Sequence, residues 1–443
     1  MAAHRFRFLF STAALCTVLC AVAAPRLLPV GEGWARNTIN TTVFRNNALV
    51  THLETQYIAY YDAEQYVVLG KRRSGSSRWT LQRTPFKGRC NDAHNVISIM
   101  LDGDGYVHVA WDHHGDTLRY ARGKTPGSLD LGPPENMTGR NEDNVTYPEF
   151  YRLPGGNLLF VYRAGGSGNG NMVMNRYDLK ARRWVRVQEV LIDGERQRNA
   201  YWQLCVDPLG GIHCSWVWRE TSDVATNHDL CYAYSPDEGR TWKRSDGSTY
   251  TLPIRAANAE YIWRIPQKSE LINQTSMTCD DRGMPYIATY WRPEGTNVPQ
   301  YFLVYFDGST WHASQVSQRT TPFSLSGAGT KKIPIARPRV VVSRRGKHIS
   351  IGYIFRDVER GSRVSVYSTS SLASGQWQVT DLTGFPVDSW EPTYDTELWQ
   401  RKKILNIFVQ RSGQGDGETL TDLPPQQVYV LQPARRYSGI SRI

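Results

Sequence analysis

The feature that most constrains this chain is a repeated hairpin. A Gly-rich or charged turn, then an alternating strand ending in aromatic residues, recurs seven times. The clearest copies are "DGDGYVHVAW" (102–111), "LPGGNLLFVY" (153–162), "DPLGGIHCSW" (207–216), "DDRGMPYIATYW" (280–291) and "SRRGKHISIGY" (343–353). Weaker copies are "THLETQYIAYY" (51–61) and "LWQRKKILNIFVQ" (398–410). Each is followed by a further strand pair, several of which close on a Trp, as in "ARRWVRV" and "GSTWHAS". Alternation over short strands without helical periodicity specifies an all-β chain. The repeats are roughly 50–75 residues apart, which suits a four-stranded propeller blade. One such sheet cannot bury both faces, whereas seven stacked in a ring can. The expected fold is therefore all-β: a seven-bladed β-propeller of four-stranded antiparallel blades spanning 46–432. Residues 24–45 are expected to contribute a ring-closing strand near "NTTVFRNN" (40–47), pairing with "QQVYVLQ" (426–432), and 433–443 form a tail.

Residues 1–23 read as a cleaved signal peptide. Arg5 and Arg7 precede a short apolar run that ends in small residues at Ala23. No later stretch is long and apolar enough to span a bilayer, so a secreted or periplasmic monomer is expected. The formal net charge is +11, with Arg5 and Arg7 lying in the leader. For an exported protein this field favours acidic polysaccharides over nucleic acid as partners. Beyond the leader the cysteines are Cys90, Cys205, Cys214, Cys231 and Cys279, an odd number that excludes a disulfide scaffold.

The densest ionisable stretch is "WDHHGD" (111–116), with His94 upstream in "NDAHNVIS". If Leu101 faces Tyr106 across the turn, His94 falls opposite His113, and His114 points away unless the strand bends. Imidazoles gathered at one hairpin mouth suit acid–base work better than the isolated His108 does. "SPDEGRTW" (235–242) is an Asp-box, which reads as a structural turn.

Together, "DAHNVISIMLDGDGYVHVAWDHH", "YPEFYRLPGGNLLFVYRAGGSGNGN", "RQRNAYWQ" and "WVWRETSDVATNHDLCYAYSPDEGRTW" resemble the BNR-4 repeat family over residues 45–410. That family includes seven-bladed-propeller polysaccharide lyases of the ulvan lyase type. The resemblance implies β-elimination at a uronic acid. A base removes the C5 proton, a cation neutralises the adjoining carboxylate, and an acid protonates the leaving O4. It places His94, His114, Tyr147 and Arg163 in the catalytic set. It adds Tyr201 as a substrate contact, with His113, Asn95 and Arg198 as further substrate-binding residues. Spacing within the motif favours His114, whereas the hairpin register favours His113. No cofactor is required for such chemistry.

Three other readings stand beside it. A non-catalytic carbohydrate-binding propeller would use the same aromatic and basic cleft but has little need of the histidines. A sialidase-like hydrolase is disfavoured because "RIP" (264–266) follows the Asp-box. A carboxylate-pair hydrolase would draw on Asp112, Asp116 and Glu149. Separately, His213, His228, Cys231 and Cys279 have the ligand types of a closed structural zinc site. The alternative there is buried thiols with hydrogen-bonded imidazoles. Cys205 and Cys214 are expected to face each other across "DPLGG".

Overall fold

A computed structural model of the chain describes residues 25–274 and 276–433; the leader and the tail beyond 433 lie outside the described residues. Seven antiparallel sheets follow one another along the chain. Blade 1 runs from Leu49–His52 to Thr80–Lys87, and blade 2 from Ile97–Leu101 to Tyr120–Arg122. Blades 3 to 6 start at Val145–Arg152, Asn199–Val206, Ser276–Cys279 and Arg339–Arg345. Blade 7 holds Thr393–Tyr394, Ile407–Val409 and Gln426–Gln432. The blades are four-stranded with one exchange. Blade 2 keeps three strands, and its short His114–Asp116 strand pairs instead with the innermost strand of blade 3. Among the described residues no helix is long and apolar enough to cross a membrane.

The ring is closed by Arg26–Gly33 pairing with Gln426–Gln432. The expected closing segment, 40–47, is not a strand. It is buried along the propeller axis, where its backbone meets side chains from several blades. Val43 N–H donates to Glu391 (2.8 Å), just before blade 7's first strand, Asn46 donates to Tyr151 (3.0 Å) of blade 3, and Arg339, which opens blade 6's first strand, donates to Val43 O. Its polar run "NTINTT" alternates too little to pair as a strand, but it supplies the donors and acceptors that a buried axial segment must satisfy. Phe44, at its centre, reaches the candidate site.

The blade turns differ from expectation by one residue. In "DGDGY" the N–H of Asp102 donates to Tyr106 O (3.1 Å), and Asp102 Oδ1 accepts from the Tyr106 N–H (2.9 Å). Gly105 takes φ +85°, which is open to glycine at no steric cost. The same five-residue turn recurs from Asp207 to Gly211 and from Asp280 to Met284. Leu101 therefore pairs with Val107 rather than Tyr106, and Cys205 pairs with His213 rather than Cys214. A one-residue slip exchanges which side chains meet. Here it moves His94 from beside His113 to beside His114.

The Asp-box is structural. Gly239 N–H donates to Ser235 Oγ (2.9 Å), and Asp237 accepts from Thr241 N–H (2.8 Å). Trp242 is fully buried, with its indole N–H on Gly239 O (3.0 Å).

Candidate active site

A cavity of about 210 Å³ opens on the face where the innermost strands begin and the second strands end. One side of it is a run of rings and guanidinium groups in contact. Phe44 stacks on His94 (5.5 Å between centroids), and His94 stacks on His114 (4.1 Å). Tyr147 stands edge-on to Phe44 (5.0 Å) and to Tyr201 (6.0 Å). Arg163 lies over Tyr147 (5.0 Å) and Arg219 over Tyr201 (5.3 Å), so blades 3 and 4 present the same Tyr–Arg pair side by side. Among the described residues, no Asp or Glu lines the cavity.

Local backbone distortions deliver these side chains. After Trp111, Asp112 adopts φ +63° and Gly115 φ +79°, and the chain bends across to blade 3. There Gly115 N–H is held by Thr146 Oγ1 (2.8 Å), which leaves His114 partly exposed in the cavity. Tyr147 itself sits at φ +54°, in a bulge where the register of its strand shifts between Thr146 and Glu149. A left-handed aromatic is costly and is typical of a side chain re-aimed into a site. Gly170 gives Arg163 its room: a Cβ there would lie 2.7 Å from Arg163 Cδ.

The two imidazoles are set by one carboxylate. Asp92 Oδ1 is 2.7 Å from His94 Nδ1, and Oδ2 is 2.6 Å from His114 Nδ1. Glu418, delivered by a blade 7 loop, adds a second carboxylate 3.2 Å from His94 Nδ1. Glu418 is fixed in turn by the N–H groups of Ala93 (3.0 Å) and Thr330 (2.7 Å). Ionised carboxylates only accept, so both Nδ1 atoms carry hydrogen and Nε2 is the other reactive ring position. For His94, burial opposes the charge, but Tyr147, Asp92 and Glu418 outweigh it and hold the pKa well above the usual histidine value. For His114, burial dominates over Asp92, and the charge on His94 adds to it, so the pKa is lowered. Asp92 is held well below the usual carboxylate range by both imidazoles, against its burial. The result is a charged His94 stacked on a neutral His114 whose Nε2 lone pair is free.

This charge state has a stability consequence. A raised folded-state pKa stabilises the fold fully below the unfolded value of about 6.5, and that contribution is lost as pH rises through the folded value. The stability gap between wild type and His94→Gln, read by urea denaturation, is therefore expected to be widest in mild acid. It should narrow on the alkaline side; a gap that widens with pH would contradict the assignment.

Of the expected site residues, His94, His114, Tyr147, Arg163 and Tyr201 share the cavity. Three expected binding residues do not. His113 is fully buried, with Nε2 accepting the Arg119 N–H (2.7 Å), and burial and then Arg119 lower its pKa to about 3. It holds the loop. Asn95 is buried and donates to Arg89 O (3.0 Å). Arg198 is committed to Glu220 (2.8 Å) and Glu195 (2.9 Å). The hydrolase carboxylates are likewise occupied: Asp112 pairs with Arg89 and Arg119, Asp116 with Arg89, and Glu149 is buried against Tyr151.

The four expected zinc ligands do not converge. His213 spends both nitrogens on Tyr232 (2.6 Å) and Asp207 (3.0 Å), and His228 spends both on Asp229 (3.1 Å) and Glu220 (2.9 Å). An imidazole bound at both nitrogens has no lone pair left for a metal. Cys279 Sγ lies 3.2 Å from Cys205 Sγ, and Cys231 is buried opposite Trp216. His213 repeats the setting of His108, which is held between Asp102 and Tyr120 in blade 2. Among the described residues, the one His/Cys/Asp/Glu group with ligand atoms close enough for an ion is Asp92, His94 and His114, and those atoms bond one another.

Sequence reasoning passed over Phe44, Asp92, Arg219, Lys331, Arg337 and Glu418. Arg219 ends "WVWR" as Arg163 ends "FVYR", so the repeat itself carried that signal.

The fold and site together are a seven-bladed propeller with a His–His–Tyr–Arg cavity at the strand ends, the place where a rigid scaffold presents its binding cleft. The BNR repeat-containing family model matches residues 55–319, and the chain belongs to that family. Among relatives, the short isoform of an ulvan lyase from Alteromonas sp. (strain LOR) is 31% identical over 252 residues, 44% of this chain and 47% of that protein. A long-isoform ulvan lyase from Alteromonas sp. is 25% identical over 285 residues, 51% of this chain and 28% of that protein. The chain thus spans less than half the length of these relatives. Among solved structures, the polysaccharide lyase Uly1 superposes with a TM-score of 0.64 at 16% identity, over 88% of this chain and 90% of that one. An ulvan lyase described as a new family of polysaccharide lyase superposes with a TM-score of 0.66 at 13% identity, over 92% and 96%. These two likenesses establish the propeller fold.

Proposed function

We propose that the chain is a polysaccharide lyase that cleaves a uronic-acid-containing polysaccharide, such as ulvan, by β-elimination. The observation that carries this is the cavity wall: a neutral His114, a re-aimed Tyr147 and an Arg163 without a carboxylate partner among the described residues, with no acid in the lining. A hydrolase of the two-carboxylate kind needs groups that the cavity lacks. In the proposed reaction His114 Nε2 takes the C5 proton. The electron pair forms the C4=C5 double bond, the C4–O4 bond breaks, and Tyr147 supplies the proton to O4. Arg163 and charged His94 meet the carboxylate as its charge grows, so the scheme needs no metal. Relatives named ulvan lyase support the substrate class, as does a similar fold solved with -[GlcA(1-4)Rha3S]- bound. Arg219, also without a carboxylate partner among the described residues, gives the cavity a second cation for a polymer with more than one anionic group.

The test is ultraviolet absorbance of the unsaturated uronate during incubation with ulvan, alginate, heparin, chondroitin and rhamnogalacturonan. A rise on at least one, with ulvan foremost, is expected. No rise on any would favour the non-catalytic carbohydrate-binding reading.

A further inference from the structure

The opposite face of the propeller carries a second, larger cleft, of about 630 Å³. It lies between the far ends of blade 1's outer strands and the loop 123–128 that follows blade 2's last strand. Its position follows from the topology. The candidate active site sits where second strands end, whereas this cleft includes Thr55, where blade 1's second strand begins. Four consecutive or nearly consecutive cations line it: Lys71, Arg72, Arg73 and Arg78.

These are not four floppy surface chains. Arg72 is buried, holds Gln56 Oε1 through two nitrogens (2.9 and 2.6 Å) and lies 5.2 Å over the Trp79 ring. Lys71 Nζ is anchored on Gly127 O (2.7 Å), joining blade 1 to blade 2. The floor is thus rigid and already positive. Arg73 and Arg78 stand exposed on the rim, with no ion pair or side-chain hydrogen bond among the described residues. The acid that feels Arg73 is Glu54, which is already paired with Lys402 (2.8 Å). Among the described residues no Asp or Glu lines the cleft; Thr80, Ser128 and the Tyr57 hydroxyl complete it as hydroxyl donors and acceptors.

We propose that this cleft is a second, non-catalytic binding site for an anionic polysaccharide chain. Uncompensated guanidinium groups match sulfate or carboxylate substituents, and the hydroxyl lining matches sugar hydroxyls. Nucleobases would need an open aromatic face, and Arg72 covers that of Trp79. A site on each face lets one long polymer be held while another part of it is in the cavity, raising its effective concentration there.

The test uses the full chain and dextran sulfate, which carries no uronate and so reports binding without turnover. At low salt, Arg73→Ser/Arg78→Ser is expected to lower affinity roughly tenfold, whereas neutral dextran binds neither form. Arg345→Ser/Lys347→Ser removes the same charge from the same face outside the cleft and is expected to change affinity less than twofold. His114→Ala must bind as wild type does, which keeps this inference separate from the lyase reading. Equal losses in the two double variants would reduce the effect to net charge and overturn the proposal. So would an unchanged affinity in the first, or duplex DNA of matched charge competing as well as the glycan.

Discussion

His114→Ala is expected to lower kcat/KM for uronate elimination about a thousandfold, the middle of the range for removing a positioned general base. The effect is large because no second neutral imidazole is available. His94 is held charged by Asp92 and Glu418, and His113 is buried with Nε2 committed to Arg119. The wild-type pH profile should show an acid limb below the ordinary histidine pKa of about 6.5, because burial lowers the His114 value. Activity should rise through that limb as His114 loses its proton, and the limb should vanish in the variant. Added imidazole should restore part of the rate in the vacated space, which a purely structural histidine would not allow. A variant that keeps its acid limb would move the base elsewhere, with Tyr147 next in line.

Arg163→Met is expected to cost a hundred- to a thousandfold, almost wholly in kcat. The uronate carboxylate is present in the ground state, but its charge grows as the C5 proton leaves, so a buried guanidinium aimed at it stabilises the transition state more. Arg163 is well placed for this. It is 2% exposed, it lies across Gly170, and among the described residues its one side-chain hydrogen bond is to Gly165 O (3.2 Å). Arg219→Met provides the contrast. Arg219 is occupied by Tyr201 (3.1 Å) and Ser222 O, so its loss should raise KM with a smaller change in kcat. If Arg163→Met raised KM alone, its role would be uniform binding and the neutralisation step would need another cation, with His94 the nearest.

The ring of seven blades was legible because each blade repeats a turn, an alternating strand and an outer Trp. What periodicity does not specify is the length of the turn. "DGDGY" admits a four-residue or a five-residue closure, and the choice decides whether His113 or His114 meets His94. The Asp102 side chain settles it by binding the Tyr106 N–H, and the same Asp recurs in blades 4 and 5. Asp92 and Glu418 were out of reach for a different reason. Glu418 comes from a loop more than three hundred residues along the chain and arrives only when the ring closes. The zinc reading failed on hydrogen bonding: the ligand types were right, but Asp207, Tyr232, Asp229 and Glu220 had already taken the imidazole nitrogens. Tyr147 was marked only by the family resemblance; its left-handed backbone, which aims the ring, is visible only in the folded chain.

Ulvan cleavage in heavy-oxygen water, followed by mass spectrometry of the fragments, tests the central claim most directly. β-Elimination consumes no water. The account predicts unlabelled fragments whose new non-reducing end is an unsaturated uronate, lighter by one water than the saturated form. Fragments carrying one heavy oxygen, with a saturated uronate at the new end, would show hydrolysis and contradict it.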